Sequence, residues 1–277
     1  MDYEDYQKRA VYTYVKGFDQ YLEPGIPAGS VCLVHGGPGT LKTSFTFTIL
    51  YNNMKLNNMN GLYVSLEQSK ESLINNMAKL GLDDIDHDSL EIADYGTLRL
   101  MLKKELDKKE KEQNNSNGNE SMNRNEPGKI NTSIFSDTNI EINWLNDIQK
   151  LIIDRVEFGD LDLVVIDSLN GLYALTEFEN PRKELFHFFG FLREINVTSF
   201  LIVETQPTLP ILSGYGVEQF LSDGIIELGI NEDHKLMRYI QIKKLRGTPH
   251  DMNKYAFDVK KGLRVWGKVI DSKLTGS

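Results

Sequence analysis

Residues 36–44 read GGPGTLKTS and combine closely spaced glycines with a lysine and several hydroxyl side chains. Backbone N–H groups freed by glycines can surround a phosphate, and the N-terminal end of a following helix adds positive charge. The pattern G-x-x-x-x-G-K-[ST] describes such a loop, and Gly36, Lys42 and Thr43 fit it. We therefore predict a nucleotide site. The alternative is a strand-to-helix turn that carries a lysine by chance.

The residues of this loop can be given roles. Lys42 would reach the β- and γ-phosphates of ATP, and the Thr43 hydroxyl would bind Mg²⁺. ATP and Mg²⁺ are thus the predicted cofactors. The predicted ATP-binding residues are those of the whole loop: Gly36, Gly37, Pro38, Gly39, Thr40, Leu41, Lys42, Thr43 and Ser44.

Leu41 departs from the pattern, because it stands where the second glycine of the motif belongs. Leucine keeps the N–H donor but adds a four-carbon side chain. A positive φ at this position would cost about 1–3 kcal/mol in strain. A helical φ would make leucine tolerable, since leucine favours helices. In either case the side chain has to point away from the phosphates, under the loop or into solvent. We predict ATP binding, and hydrolysis that is slow.

Two carboxylates follow predicted strands and could complete the site. Asp167 ends the apolar run LVVID, the form of a Walker B motif, and could hold Mg²⁺ or its water. Glu67 in LYVSLEQS could orient or deprotonate the attacking water, and Gln68 could help to position it. A helix cap is the alternative role for both carboxylates.

A basic cluster occupies residues 242–250, IKKLRGTPH. Such a cluster is common on a solvated edge strand, where charges prevent aggregation. Alternatively, Lys244 and Arg246 reach the phosphates of a neighbouring subunit, as arginine fingers do. Spacing along the chain does not choose between these two roles.

Short apolar runs alternate with amphipathic stretches from Ser30 onward, which predicts an α/β fold with a mostly parallel central sheet flanked by helices. The last third instead predicts β-hairpins that extend one edge of the sheet as antiparallel strands. The predicted strands are 30–35, 61–66, 91–95, 163–167, 198–205, 224–230, 236–245 and the hairpin 255–266. One predicted helix follows Lys42, a second covers 70–82 and ends on the glycine of GL, and a third covers 182–195.

Residues 103–140 break this alternation, because they are rich in Lys, Glu, Asn and Ser and almost free of large apolar side chains. Such a segment cannot bury enough apolar surface to offset its ordering entropy. We predict a disordered surface insertion. A partner-binding arm is the functional alternative.

Composition narrows the class of protein. The net charge of −9 argues against a broad basic face for nucleic acid. Cys32 is the only cysteine, which excludes an intrachain disulfide and a cysteine zinc site. No signal core or membrane-length apolar run is present in the sequence. These observations predict a cytoplasmic protein with no membrane partner.

Five strings resemble the KaiC-like branch of the RecA-like P-loop ATPases: VKGFDQYLEPGIPAGSVCLVHGGPGT, LYVSLEQS, VVIDSLNGL, YGVEQFLSDGIIEL and YIQIKKLRGTPH. The resemblance covers about residues 14–266, apart from the insertion. It implies one RecA-like P-loop domain over 14–266, an N-terminal segment 1–13 and a C-terminal tail 267–277.

The resemblance also implies roles. Members bind ATP through the part matching residues 39–44 and position magnesium with the residues matching Thr43 and Asp167. They use paired acidic residues where this chain keeps only Glu67. They form rings, commonly hexamers, with ATP between subunits, and the neighbour's nucleotide then faces Lys244, Leu245, Arg246, Thr248 and His250. Gln206 is a candidate sensor of the γ-phosphate.

The leading hypothesis is a ring-forming ATPase that drives a conformational or regulatory switch with an unidentified protein partner. A RecA-type recombination or repair factor is an alternative, but the 206–216 loop has no Lys or Arg to bind DNA. A nucleotide-binding regulator that does not hydrolyse ATP is the other alternative. It is motivated by Leu41 and Gln68.

Overall fold

A computed structural model describes residues 10–86, 89–97, 143–159, 161–176, 178–205, 216–231 and 237–269. Its strands are β1 Val31–Gly36, β2 Gly61–Ser65, β3 Leu90–Asp94, β4 Leu163–Asp167, β5 Thr198–Glu204, β6 Gly224–Asn231, β7 Met237–Leu245, β8 Tyr255–Lys260 and β9 Gly262–Lys268. Its α-helices are α1 Lys42–Asn57, α2 Lys70–Ala78, α3 Trp144–Gly159, α4 Leu169–Leu175, α5 Pro181–Glu194 and α6 Glu218–Leu221.

These strands form one sheet in the order β3-β2-β4-β5-β1-β6-β7-β8-β9. The strands from β3 to β6 pair in parallel, and β7, β8 and β9 continue the sheet as antiparallel neighbours. The predicted α/β class, the mostly parallel sheet and the antiparallel C-terminal extension are confirmed.

The central strands are buried on both faces, which explains their continuous apolar runs. On one face, Cys32 and Val165 belong to a core that includes α1, α2 and the antiparallel strands. On the other face, Leu33 and Val164 pack with α3, α4 and α5. The sheet is therefore covered by apolar layers on both sides, and its strand ends are left to carry polar groups.

Local signals explain where two predicted helices begin and end. The predicted helix 182–195 begins at Pro181, and the Asn180 side chain accepts a hydrogen bond from Lys183 N, as in a typical N-cap. The predicted helix 70–82 ends at Ala78, earlier than expected. Gly81 at φ 81° and the bond from Leu82 N to Met77 O close a left-handed helix terminus.

Some predictions fall outside the described residues. The predicted insertion at 103–140, the tail from residue 270 and Gln206 belong to this group. Within the described ranges, no helix has the length and hydropathy that a membrane span requires.

The side-chain amide of Asn53, on helix α1, binds the backbone of Tyr12. Asn53 is fully buried and donates to Tyr12 O at 2.7 Å, while its side-chain oxygen accepts from Tyr12 N at 3.3 Å. Close by, Val11 pairs with Ile26. Asn53 thus takes the place of a strand partner for Tyr12 and holds this residue against the helix that follows the phosphate-binding loop.

Replacing Asn53 with alanine should lower the free energy of unfolding by about 1–3 kcal/mol, because Tyr12 would keep a backbone N–H and C=O without partners. Urea denaturation followed by circular dichroism measures this change. Asn52→Ala is the matched control, since the Asn52 side chain donates only to Thr48 O of its own helix. Equal losses for the two variants would contradict the role of Asn53.

Candidate functional site

The carboxyl ends of four parallel strands meet at one edge of the sheet. Ser65 of β2 is the register partner of Asp167 of β4, and Gly36 of β1 is the partner of Glu204 of β5. Residues that follow or end these strands are therefore brought together, as expected for the ligand edge of an open α/β sheet.

The loop from 36 to 41 needs glycine at two positions for different reasons. A Cβ on Gly36 would lie 2.0 Å from Leu228 O and 2.8 Å from Thr40 Oγ1, so only glycine fits. Gly39 has φ 73°, and a Cβ there would meet nothing within 4 Å. The loop is packed at its base against β6 and open on the side where phosphate would enter. Thr40 Oγ1 closes the turn by donating to Gly37 O at 2.8 Å.

Leu41 adopts the left-handed conformation, with φ 73° and ψ 31°, at the residue that precedes α1. The sequence allowed either a positive φ or a helical φ at Leu41, and the positive φ, which is strained for leucine, is present. Its side chain is partly buried and packs against the core cluster that includes α1. Leucine thus keeps the glycine-like backbone of the motif, and its side chain contacts the core.

Lys42 is buried and makes contacts within the loop. Its Nζ donates to Gly36 O and Gly37 O, each at 3.0 Å, and lies 3.5 Å from Glu204 Oε1. The lysine therefore lies at the phosphate-binding loop, at the position where the sequence predicts a phosphate ligand. Glu204 was not identified from the sequence.

Thr43 and Asp167 come together as predicted, with Thr43 Oγ1 donating to Asp167 Oδ2 at 2.8 Å. The Tyr63 hydroxyl donates to the same oxygen at 2.6 Å from full burial in β2. Burial raises the pKa of Asp167, and burial with the nearby Asp167 charge raises the pKa of Tyr63 well above its ordinary value. The role of Tyr63 is not visible in the sequence, because a tyrosine within an apolar run is expected to be an ordinary core residue of the strand.

Glu67 is exposed and lies next to the start of α4. Its Oε1 accepts a hydrogen bond from Ser168 Oγ, and Ser168 Oγ accepts one from Gly171 N at 3.1 Å. The bond from Leu66 N to Asp167 O, at 2.8 Å, fixes the two strand ends next to each other. Ser168 thus connects the predicted base to the Asp167 strand, and this contact is not visible in the sequence.

Beside the loop, Arg238 of β7 donates from Nε to Gly39 O at 2.8 Å. This contact depends on the antiparallel register of β7 with β6, which the sequence does not give. Arg238 therefore supports the outer side of the loop.

His35 lies in β1 directly before the loop and is buried beside Glu227 and Lys243. Burial lowers the pKa of His35 to about 4, against the opposing effect of Glu227. His35 is thus neutral near pH 7 and adds no positive charge under the loop.

Lys244 and Arg246 of the basic cluster lie near the amino end of β1, at the opposite end of the parallel strands from the phosphate-binding loop. Leu245 is the register partner of Gly224, which in turn is the partner of Cys32 near the start of β1. The phosphate-binding loop follows the opposite end of β1. Lys244 and Arg246 are therefore separated from their own loop by most of the length of this strand.

Within one chain these residues have structural partners. Lys244 Nζ donates to Gln219 O at 2.9 Å and to Ser222 O at 2.6 Å, and Arg246 pairs with Asp223 at 3.0 Å. Two further members of the predicted set, Leu245 and Thr248, are buried, and the His250 ring nitrogen Nδ1 lies 2.9 Å from Thr248 O.

The donor set at the loop suits Mg²⁺. A threonine hydroxyl and a carboxylate oxygen are ligands that this hard cation prefers, usually together with phosphate oxygens and waters. Across the described ranges, no group of three or more His, Cys, Asp or Glu side chains could hold a metal by itself. Thr43 and Asp167 supply one hydroxyl and one carboxylate oxygen of this kind, 2.8 Å apart.

A strand, a glycine loop with a buried lysine, a helix and a carboxylate on a nearby parallel strand together define a P-loop nucleotide-binding domain. The family model described as "ATPase: KaiC" matches residues 11–268, and the chain belongs to this family.

Three relatives illustrate the match. The UPF0273 protein PH0284 of Pyrococcus horikoshii is 29% identical, over 95% of this chain and 99% of its own length. The circadian clock oscillator protein KaiC of Thermostichus vulcanus is 25% identical over 92% of this chain. This chain spans 43% of that clock protein. The crystal structure of the KaiC-like protein PH0186 from Pyrococcus horikoshii OT3 superposes with a TM-score of 0.69 at 26% identity, and covers 93% of this chain and 99% of that one.

Substitution of Leu41 by glycine and by alanine separates the contribution of backbone strain to stability from that of side-chain packing. Both variants lose the packing of the leucine side chain, but only glycine relieves the left-handed backbone. We expect Leu41→Gly to exceed Leu41→Ala in free energy of unfolding by about 1 kcal/mol. Denaturation by urea measures both. The opposite order is typical of a right-handed helical position and would contradict the strained backbone.

Proposed function

We propose that this protein binds MgATP at the carboxyl edge of the sheet and hydrolyses it to ADP and phosphate. The observation that carries the proposal is the convergence of Lys42, the Thr43–Asp167 pair and Glu67 on that edge. Membership of the KaiC ATPase family supports it.

The metal ligands in this proposal are Thr43 and Asp167. When bound there, Mg²⁺ offsets negative charge on the phosphates. Lys42 binds the β- and γ-phosphates once one of its three present acceptors is displaced. Loop N–H groups between residues 36 and 44 surround the same phosphates, and Leu41 supplies an N–H as glycine would.

Glu67 acts on the attacking water. Its carboxylate is exposed at the edge and is held by the Ser168 hydroxyl, so it can accept a hydrogen bond from a water beside the γ-phosphate. Gln68 has no charge with which to duplicate this role. The strain at Leu41 and the single acidic residue together favour slow hydrolysis.

We further propose that copies of the 14–266 domain assemble into a ring, most simply a hexamer, with ATP between subunits. The position of the basic cluster supports this, because Lys244 and Arg246 are too far from their own loop to touch its nucleotide. The neighbour's nucleotide is the one that they can reach. Leu245 and Thr248 are buried within one chain, so Lys244 and Arg246 carry the proposed action in trans.

Hydrolysis at such interfaces would drive a conformational or regulatory switch in the cytoplasm. DNA is not the favoured partner, because the chain carries a net charge of −9. A regulator that binds ATP without hydrolysis is the second candidate, and it is favoured by one observation, the left-handed Leu41 in the loop.

Replacing Glu67 with glutamine should lower phosphate release about 100-fold or more while leaving MgATP affinity within about threefold, because only proton acceptance is lost. A phosphate-release assay and isothermal titration measure these quantities. Glu71→Gln, an exposed carboxylate on α2, is the control. Equal background release by the wild type and Glu67→Gln would support the non-hydrolysing regulator.

Mixing two inactive variants should restore activity if sites are shared between subunits. Arg246→Ala subunits lack the trans arginine, and Glu67→Gln subunits lack the base, so some mixed interfaces regain both. We expect phosphate release above that of either variant alone, with a maximum near equal proportions. No recovery in mixtures shown by mass spectrometry to form mixed rings would contradict action in trans.

A further inference from the structure

The ammonium group of Lys42 has all of its donors engaged by the chain itself. An ammonium carries three N–H donors. The structure gives it three acceptors, which are Gly36 O and Gly37 O at 3.0 Å and Glu204 Oε1 at 3.5 Å. A phosphate can bind Lys42 only if at least one of these acceptors is displaced.

Glu204 is the acceptor that is easiest to displace. The two carbonyls belong to the loop, and their positions are set by its backbone. The Glu204 side chain, in contrast, is 45% exposed, so its carboxylate can turn into water with little loss of solvation.

The backbone of Glu204 is fixed even though its carboxylate is half exposed. Asn170 Oδ1 accepts from Glu204 N at 2.7 Å, and Thr205 N donates to Gly36 O at 3.1 Å. The carboxylate is thereby kept within reach of Lys42. It can leave and return without any change in the sheet.

Two other carboxylates at this edge are engaged elsewhere. Asp167 accepts bonds from Thr43 and Tyr63, and Glu67 accepts one from Ser168. Glu204 is thus the carboxylate that the structure pairs with Lys42. Its negative charge lies 3.5 Å from the ammonium group to which the proposed function assigns the β- and γ-phosphates.

We propose that Glu204 is a specificity-determining counterion, which holds Lys42 without nucleotide and is displaced by the γ-phosphate of ATP. The inference rests on the proposed ATP site. Because Lys42 reaches the β- and γ-phosphates, the carboxylate opposes a triphosphate more strongly than a diphosphate. Glu204 therefore weakens ATP binding more than ADP binding and lowers the preference for ATP.

The test is titration calorimetry of MgATP and MgADP with the full chain and with Glu204→Gln. We expect the dissociation constant for ATP to fall about five- to tenfold, as expected for removal of one partly screened charge. We expect that for ADP to fall less than about twofold. The ratio of the two constants is the decisive readout, since a general loosening of the fold would not raise affinity for ATP alone.

Two further variants act as controls. Glu204→Asp keeps the charge and should retain the wild-type ratio. Glu194→Gln makes the same change in net charge at an exposed position on α5 and should leave both constants unchanged. Circular dichroism checks the folding of each variant, and Glu204→Ala replaces Glu204→Gln if the latter is unfolded.

The outcomes separate this inference from the proposed function. If the wild type binds MgATP and Glu204→Gln binds it equally or more weakly, the counterion role is wrong and the ATP site stands. An equal gain for ATP and ADP also overturns the role, because the γ-phosphate would then not be the competitor. If neither the wild type nor any variant binds nucleotide, the proposed function fails and the inference fails with it.

Discussion

Parallel pairing of β2, β4, β5 and β1 is the constraint on which the site depends. The register sets Ser65 beside Asp167 and Gly36 beside Glu204, so the loop, the proposed metal ligand Asp167 and the proposed base Glu67 share one edge. A shift of one residue in β4 would turn Asp167 to the opposite face and remove it from Thr43. Burial of both sheet faces makes such a shift costly, because it would exchange the core residues of the two layers.

The same packing explains how a leucine survives in a loop that favours glycine. A left-handed leucine costs about 1–3 kcal/mol, and it persists only where surrounding contacts determine the backbone. Here Gly36 is packed against β6, Lys42 binds two loop carbonyls, and Arg238 binds Gly39 O. The leucine side chain also contacts the core. The loop conformation is thus held from several sides and does not depend on glycine at position 41.

Much of the fold could be predicted from the sequence, because the signals are local. The run at 163–167 matches β4 residue for residue, since a strand buried on both faces is continuously apolar. The meeting of Thr43 with Asp167 also follows, because carboxyl ends of parallel strands share an edge. The sequence predicts that the second helix ends on the glycine of GL, and α2 ends at Ala78, before that glycine, because the left-handed Gly81 lies in the turn that closes the helix.

Four residues of the site could not be predicted from the sequence, and the reason is different. Tyr63, Ser168, Glu204 and Arg238 reach the site through contacts across more than 30 residues of chain. Tyr63 and Ser168 lie in two of the strings that carry the family resemblance, but those strings assign them no role. All four contacts depend on register or on the path of a strand end. A polar group in a strand shows in the sequence only as a residue type, so its partner has to be found in the structure.

The loop and the basic cluster lie at opposite ends of the parallel strands, so the two ends of one subunit are chemically different. A contact that joins one end of a subunit to the opposite end of the next uses two unlike surfaces, so it cannot be two-fold symmetric. Repetition of such a contact either closes into a cycle or continues as a filament. The angle between successive copies therefore decides whether the assembly has a finite number of subunits.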